Sequence, residues 1–176
     1  FRKQNMFKNM SQQYLRLSTR DALSGMINRV GLEKIAKPFY SQNKKNGLTT
    51  VLFFVDINKM KHINDNFGHL HGDLAVKTIA SCVMEAIPKT WLPIRYGGDE
   101  FLVVGNSKNY NGEDYCKIIT DLITKKTSIM QLPYNLSASI GSYSVLPTST
   151  LTLEEAVEKC DEVMYKVKEE YHKRMQ

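Results

Sequence analysis

The sequence has no long hydrophobic run: the longest, VLFFV from Val51 to Val55, falls far short of the roughly 20 apolar residues needed to cross a bilayer. No opening of basic, apolar and small residues marks a signal peptide. Direct membrane insertion by this segment is therefore not expected, and the expected location is cytoplasmic. Cysteine is scarce. Cys82, Cys116 and Cys160 are odd in number, widely spaced and without a C-x-x-C pair, which argues against a disulfide framework or a zinc site. Cys82 in IASCVMEAI and Cys160 in LEEAVEKCDEVM fall on apolar helical stripes, where small buried hydrophobes belong. Internal repeats, low-complexity tracts and Pro/Gly-rich linkers are also missing, so the 176 residues read as one domain of ordinary globular composition. The chain opens on Phe1; the expectation is a part of a longer protein with a sensor domain elsewhere, and with room for a membrane anchor there.

What is present begins with a net charge of +6, which favours anionic partners in general. Much of the excess sits in the terminal segments FRKQNMFK and YHKRMQ. No basic stripe interleaved with aromatics accompanies it, so nucleic acid is not an expected partner. Phe7, Met10, Tyr14 and Leu17 step by three, four and three, a seam of under two heptads. It reads equally as a stalk that pairs two copies or as a helix packed on its own domain. Residues 1–20 are therefore set apart as a signalling helix or linker, and residues 21–176 as the domain.

Within the domain a helix is predicted from about Asn28 to Lys45, ending at the turn-prone NKKNG. Thr49 to Ile57 (TTVLFFVDI) is β-branched and aromatic, a central strand buried on both faces. A Gly-punctuated loop, FGHLHGD, precedes a helix from Leu74 to Ala86. Trp91 to Tyr96 and Phe101 to Val104 form a β-hairpin around GGDE. A helix over Tyr110 to Thr124, a strand over Leu136 to Val145 and a closing helix striped by Leu153, Ala156, Val157, Cys160, Met164 and Val167 complete the chain. The expected class is α+β, with a mixed or antiparallel central sheet flanked by helices.

Three carboxylates stand out: Asp56 at the end of the core strand, and Asp99 with Glu100 in the hairpin. A buried strand has no room for an uncompensated charge. If the strand ends converge, the acids would repel unless they held hard cations, and Mg2+ bound by one or two carboxylates with substrate phosphates is the usual arrangement for phosphoryl transfer. Gly97 and Gly98 can take positive φ and let a phosphate approach the backbone. The plain alternative is a solvated turn. Lys61, Asn64, His69 and Asp73, in a loop-rich segment directly after the strand, shift the balance. Lys61 can neutralise a phosphate, and Asn64 with Asp73 can read a guanine edge. His69 stabilises the loop or lies beside the substrate.

RYGGDEF at Arg95 to Phe101 resembles the signature of the GGDEF family, the diguanylate cyclases. DALSGMINR at Asp21 to Arg29 is similar to the family's D-x-L-T-G-L-x-N-R. DINKMKHINDNFGHLHGD at Asp56 to Asp73 is similar to D-x-D-x-F-K-x-I-N-D-x-F-G-H-x-x-G-D, with Asn58 and Met60 as departures. Ser139 to Gly141 matches its S-I-G strand, and KCDEVMYKVK at Lys159 to Lys168 is close to A-D-x-A-L-Y-x-A-K. The resemblance implies a central sheet like that of nucleotidyl cyclases and polymerase palms, and condensation of two GTP into cyclic di-GMP with release of pyrophosphate. It implies Mg2+, two ions per GTP site and replaceable by Mn2+, held by Asp56, the carbonyl of Ile57 and Asp99. Asp99 would take the proton of the ribose 3′-hydroxyl, and Glu100 would support the metals or the base. Lys61 would act on the phosphates in the transition state, Asn64, His69 and Asp73 would line the guanine pocket, and Lys168 would contact the terminal phosphates. Each protomer would hold one GTP, so turnover would require a homodimer. The alternative is a silent module of the same family that binds GTP or cyclic di-GMP without turnover. Two further departures bear on regulation and on phosphate binding. PKTW at Pro88 to Trp91 replaces an Arg-x-x-Asp product-binding motif, so no feedback through that site is expected. Tyr171 and His172 stand where the family often has Gly-Arg, leaving Lys173 or Arg174 as substitutes.

Overall fold

A computed structural model describes residue 14 and residues 17–108 and 115–174. The N-terminal seam therefore lies mostly outside the described residues; of its members Tyr14 and Leu17 are described, and both are largely exposed. The start of the helix expected from Tyr110 lies outside them as well. After residue 20, helical structure begins at α1 (Arg29–Gly31), where Asn28 caps the first turn by accepting the Gly31 N–H. It continues through a π-helical segment, Leu32–Ala36, into α2 (Lys37–Lys45). Pro38 in the first turn of α2 has no N–H to give to an i−4 carbonyl, and the ladder shifts there, with Lys37 N–H donating to Leu32 O.

The sheet order is β2-β3-β1-β4, with every neighbouring pair antiparallel. β1 (Thr49–Ile57) lies inside it, paired with β3 (Glu100–Ser107) on one edge and β4 (Ala138–Val145) on the other. β2 (Leu92–Arg95) and β3 form the expected hairpin. Alternation along β1 sends Val51, Phe53, Val55 and Ile57 into one core and Leu52 and Phe54 into the other. The first core is closed by α4 (His69–Ala86) and α5 (Tyr115–Met130), the second by α2 and α6 (Leu153–Arg174). Buried Leu, Val, Ile and Phe side chains of this kind contribute roughly 1.5–3 kcal/mol each. Six of them on one strand are enough to carry an awkward charge at its end. The buried residues of α6 are Leu153, Ala156, Val157, Cys160 and Met164, the stripe read from the sequence except for its last member, Val167, which is exposed; Cys82 and Cys160 are buried as expected. Burial pushes the Cys160 thiol up to about 12, so it behaves as an apolar side chain.

One expectation needs correction. The stretch after β1 is not loop-rich: α3 (Met60–Phe67) and α4 form two helices separated by Gly68 alone. Gly68 has φ 85°, a left-handed conformation that glycine adopts without steric cost, and its N–H closes α3 by donating to Asn64 O. Residue types common in turns are here helical because Ile63 and Val76 are buried on the core side.

Candidate active site at the open end of the central strand

Asp56 and Glu100 face each other across the β1–β3 ladder. Ile57 N–H donates to Asp99 O at 3.0 Å, so the hairpin turn is fastened to the end of β1. The turn is also closed on itself, with Tyr96 N–H and Gly97 N–H both donating to Glu100 O. Gly97 and Gly98 are not in the positive-φ region, contrary to expectation. A Cβ on Gly97 would collide with the Glu100 carboxylate, whereas one on Gly98 would meet nothing within 4 Å. The first glycine thus makes room for Glu100, and the second leaves the turn open to a ligand.

On one side of the turn is a cavity of about 480 Å³. Lys61 and Asn64 from α3, His69 and Asp73 from α4, and Gly98 and Asp99 from the turn line it, together with Met60, Asp65, Val76 and Arg95. α3 and α4 pack against each other, and Asn64 on one and Asp73 on the other line the same cavity although nine residues apart. Asp56, Glu100 and Lys168 do not line it. Lys168 Nζ reaches from α6 to Asp56 Oδ1 at 2.6 Å.

Burial raises the pKa of the Asp56 carboxyl above its ordinary value; Lys168 pulls it back, while Asp99 and Asp161 push it further up. Glu100 is raised as well, by burial first and then by repulsion from Asp56, Asp99 and Asp161, with Lys168 opposing. The site holds more negative charge than its own cation offsets. Among the described residues no three His, Cys, Asp or Glu side chains form a ready-made metal cage.

Arg95 had no role in the sequence reading. One guanidinium nitrogen donates to both Asp21 carboxylate oxygens at 3.1 Å, the other to Gly98 O at 2.7 Å. Its Nε is buried without a hydrogen-bond partner. Burial works against the Asp21 carboxylate, but the Ser24 hydroxyl and amide and Arg95 together hold it below its usual range. A cation one residue removed from two glycines, in RYGG, was the available signal. Asp161 was quoted within a motif but not as a neighbour of Asp56.

The departures also have positions. Asn58 is buried and turned toward β4: its amide donates to Ser137 Oγ and its carbonyl accepts from Ser139 Oγ. Lys59, at φ 56°, holds Nζ 6.0 Å from the Tyr171 ring centroid. Arg174 lines a separate cavity with Asn58, Ser139 and Tyr171. Trp91, at the place of the missing product-binding acid, is buried against Phe53 and Tyr115.

An antiparallel sheet between helical layers, with a polar pocket where a glycine turn meets the end of its central strand, defines the class. The family model described as "Diguanylate cyclase, GGDEF domain" matches residues 18–174, and the chain belongs to that family. Similar curated proteins include the probable diguanylate cyclase DgcJ of Escherichia coli K12, 26% identical over 91% of this chain and 30% of that protein. The diguanylate cyclase DgcS of Shewanella oneidensis is 27% identical over 90% and 53%. The chain thus spans about a third to a half of these relatives. Among solved structures, the diguanylate cyclase SiaD of Pseudomonas aeruginosa, in complex with its activator SiaC, superposes with a TM-score of 0.81 at 23% identity, covering 96% of this chain and 65% of that one. A microbial GGDEF domain described in its interaction with cyclic di-GMP gives 0.71 at 26%, covering 88% and 93%. Among the described residues no helix is long and apolar enough to cross a membrane.

Proposed function

We propose that this domain condenses two GTP into cyclic di-GMP, one GTP per protomer of a dimer, in the cytoplasm and under the control of a sensor elsewhere in the protein. The observation that carries the reading is the meeting of Lys61, Asn64, His69, Asp73, Gly98 and Asp99 around one cavity, beside the Asp56–Lys168 pair. Asp73 would accept hydrogen bonds from the guanine N1 and exocyclic amine, and Asn64 would contact the base edge. Gly98 gives the phosphates access to the turn. Lys61 and Lys168 would balance phosphate charge, and Asp99 would accept the proton from the ribose 3′-hydroxyl. Asp56, the Ile57 carbonyl and Asp99 supply hard oxygen donors for Mg2+, with Glu100 in support. Bound there, Mg2+ would lower the cost of forming an alkoxide and offset charge on the attacked phosphate. Exposed Tyr14 and Leu17 suit a stalk that pairs two copies so that their GTP sites face.

The test is incubation with GTP and Mg2+ and mass analysis of the products, with Asp99→Ala alongside. Cyclic di-GMP from the wild type, reduced about 10²–10⁴-fold in the variant, is expected. A demonstrably dimeric wild type that makes none would sink the reading and leave a module that binds nucleotide without turnover.

A further inference from the structure

Lys168 and Asp56 lie 112 residues apart in sequence, and their 2.6 Å contact ties α6 to the end of β1. Only 7% of the Asp56 side chain and 26% of the Lys168 side chain are exposed. Two roles assigned above meet at one carboxylate. Asp56 would bind a divalent cation, and Lys168 would bind phosphate. A Mg2+ ion sits about 2.0–2.1 Å from its oxygen ligands, and an ammonium 2.6 Å from the same oxygen would put two cations a few ångströms apart. At that separation their repulsion in a half-buried site is several-fold stronger than in water. The two cations therefore compete for the Asp56 carboxylate.

We propose that Lys168 is a resident counter-ion that occupies the cation position at Asp56 in the nucleotide-free domain, and that a divalent cation arriving with a nucleoside triphosphate displaces it onto the phosphates. The exchange rests on the GTP-condensing reading for the cation at Asp56 and for the identity of the nucleotide. A divalent cation alone must dislodge Lys168 and leave it without a partner. A triphosphate alone brings several negative charges toward Asp56, Asp99, Glu100 and Asp161, the carboxylates that act on one another here. Together each removes the other's obstacle, so their binding is cooperative, and by linkage the cooperativity is mutual. The four-carbon stem of lysine allows the ammonium to move by rotamer changes without displacing α6. Lys168 thereby keeps the carboxylate paired while the site waits, which an incompletely compensated buried charge requires.

The experiment measures Mn2+ affinity by electron paramagnetic resonance, with and without α,β-methylene-GTP, in the wild type, Lys168→Met and Lys168→Arg. The wild type is expected to bind Mn2+ at least ten-fold more tightly when the nucleotide is present. Lys168→Met should bind Mn2+ alone at least five-fold more tightly than the wild type, lose most of that cooperativity, and gain more in Tm from Mn2+ than the wild type does. Lys168→Arg should behave as the wild type. Should Lys168→Met not fold, ζ-15N lysine NMR of the wild type replaces it: the protected Lys168 ammonium signal should disappear on addition of Mg2+ with the nucleotide analogue. A folded Lys168→Met with unchanged or weaker Mn2+ affinity, or an ammonium signal that persists at saturation, overturns the exchange. Tighter Mn2+ binding by Lys168→Met in a protein that binds no guanine nucleotide would uphold the displacement from Asp56 and sink the GTP reading instead.

Discussion

The two ends of β1 are both polar, and they are finished differently. At one end Asn43, 2% exposed, donates to Thr50 Oγ1 and Gly105 O and accepts from Asn106 Nδ2 at 2.8 Å. Every group there is neutral and finds its partner inside the fold. At the other end Asp56 and Glu100 are held side by side with pKa values raised by burial and by each other's charge. A neutral, closed network stabilises the strand; a charged, open one leaves part of its compensation to a ligand. The contrast separates what the end of a strand needs for folding from what it keeps for function.

Three substitutions test that contrast. The largest effect is expected from Asp56→Asn at the open end: cyclic di-GMP formation should fall about 10²–10³-fold, the range for losing one electrostatic stabiliser. Its Tm should stay at or above that of the wild type, because a raised carboxylate has been removed and Lys168 can turn to solvent. A clear fall in Tm would mean that this end is structural after all. Next, Asn43→Ala at the closed end strands Thr50 and Asn106 and should cost about 1–3 kcal/mol, a fall in Tm of roughly 2–10 °C for a domain of this size. Its kcat should not change; an equal loss of activity would erase the distinction.

The smallest effect concerns Glu100 and pH. Its folded pKa lies above the ordinary 4.5, so the stability associated with its protonated form is fully present below about pH 4.5 and is lost as pH rises through the folded value. Glu100→Gln removes that loss. In the ligand-free protein it should raise Tm at pH 7 and leave it unchanged at pH 4, as followed by thermal melts across that range. A gain of the same size at both pH values would show that packing, not charge, is responsible.

The elements with one dominant period were legible in the sequence. TTVLFFVDI could only be an inner strand, and the stripe from Leu153 to Met164 only a helix against the sheet. The stretch from Met60 to Asp73 was not, since its Asn, His, Asp and Gly residues carry turn chemistry and its two helices meet at a single glycine. The resemblance of RYGGDEF to a known family drew attention to the residues around the cavity, but not to what each touches. Arg95 and Asp21 are 74 residues apart, and no local pattern announces an ion pair made by the tertiary fold. The same holds for Lys168, read as a phosphate contact and found on Asp56. Gly97 was assigned to the ligand, yet its missing side chain serves Glu100.

The hairpin turn is fixed by its carbonyls. Gly98 O accepts from Arg95 at 2.7 Å, Asp99 O from Ile57 N–H at 3.0 Å, and Glu100 O from both Tyr96 N–H and Gly97 N–H. Three consecutive peptide planes are thereby oriented by a neighbouring strand, by an arginine and by the turn's own amides. The Asp99 carboxylate is left with two side-chain torsions as its whole search space. For the proton transfer proposed for Asp99, reaching a hydroxyl would then call for side-chain rotation more than for movement of the main chain, which keeps the reorganisation small.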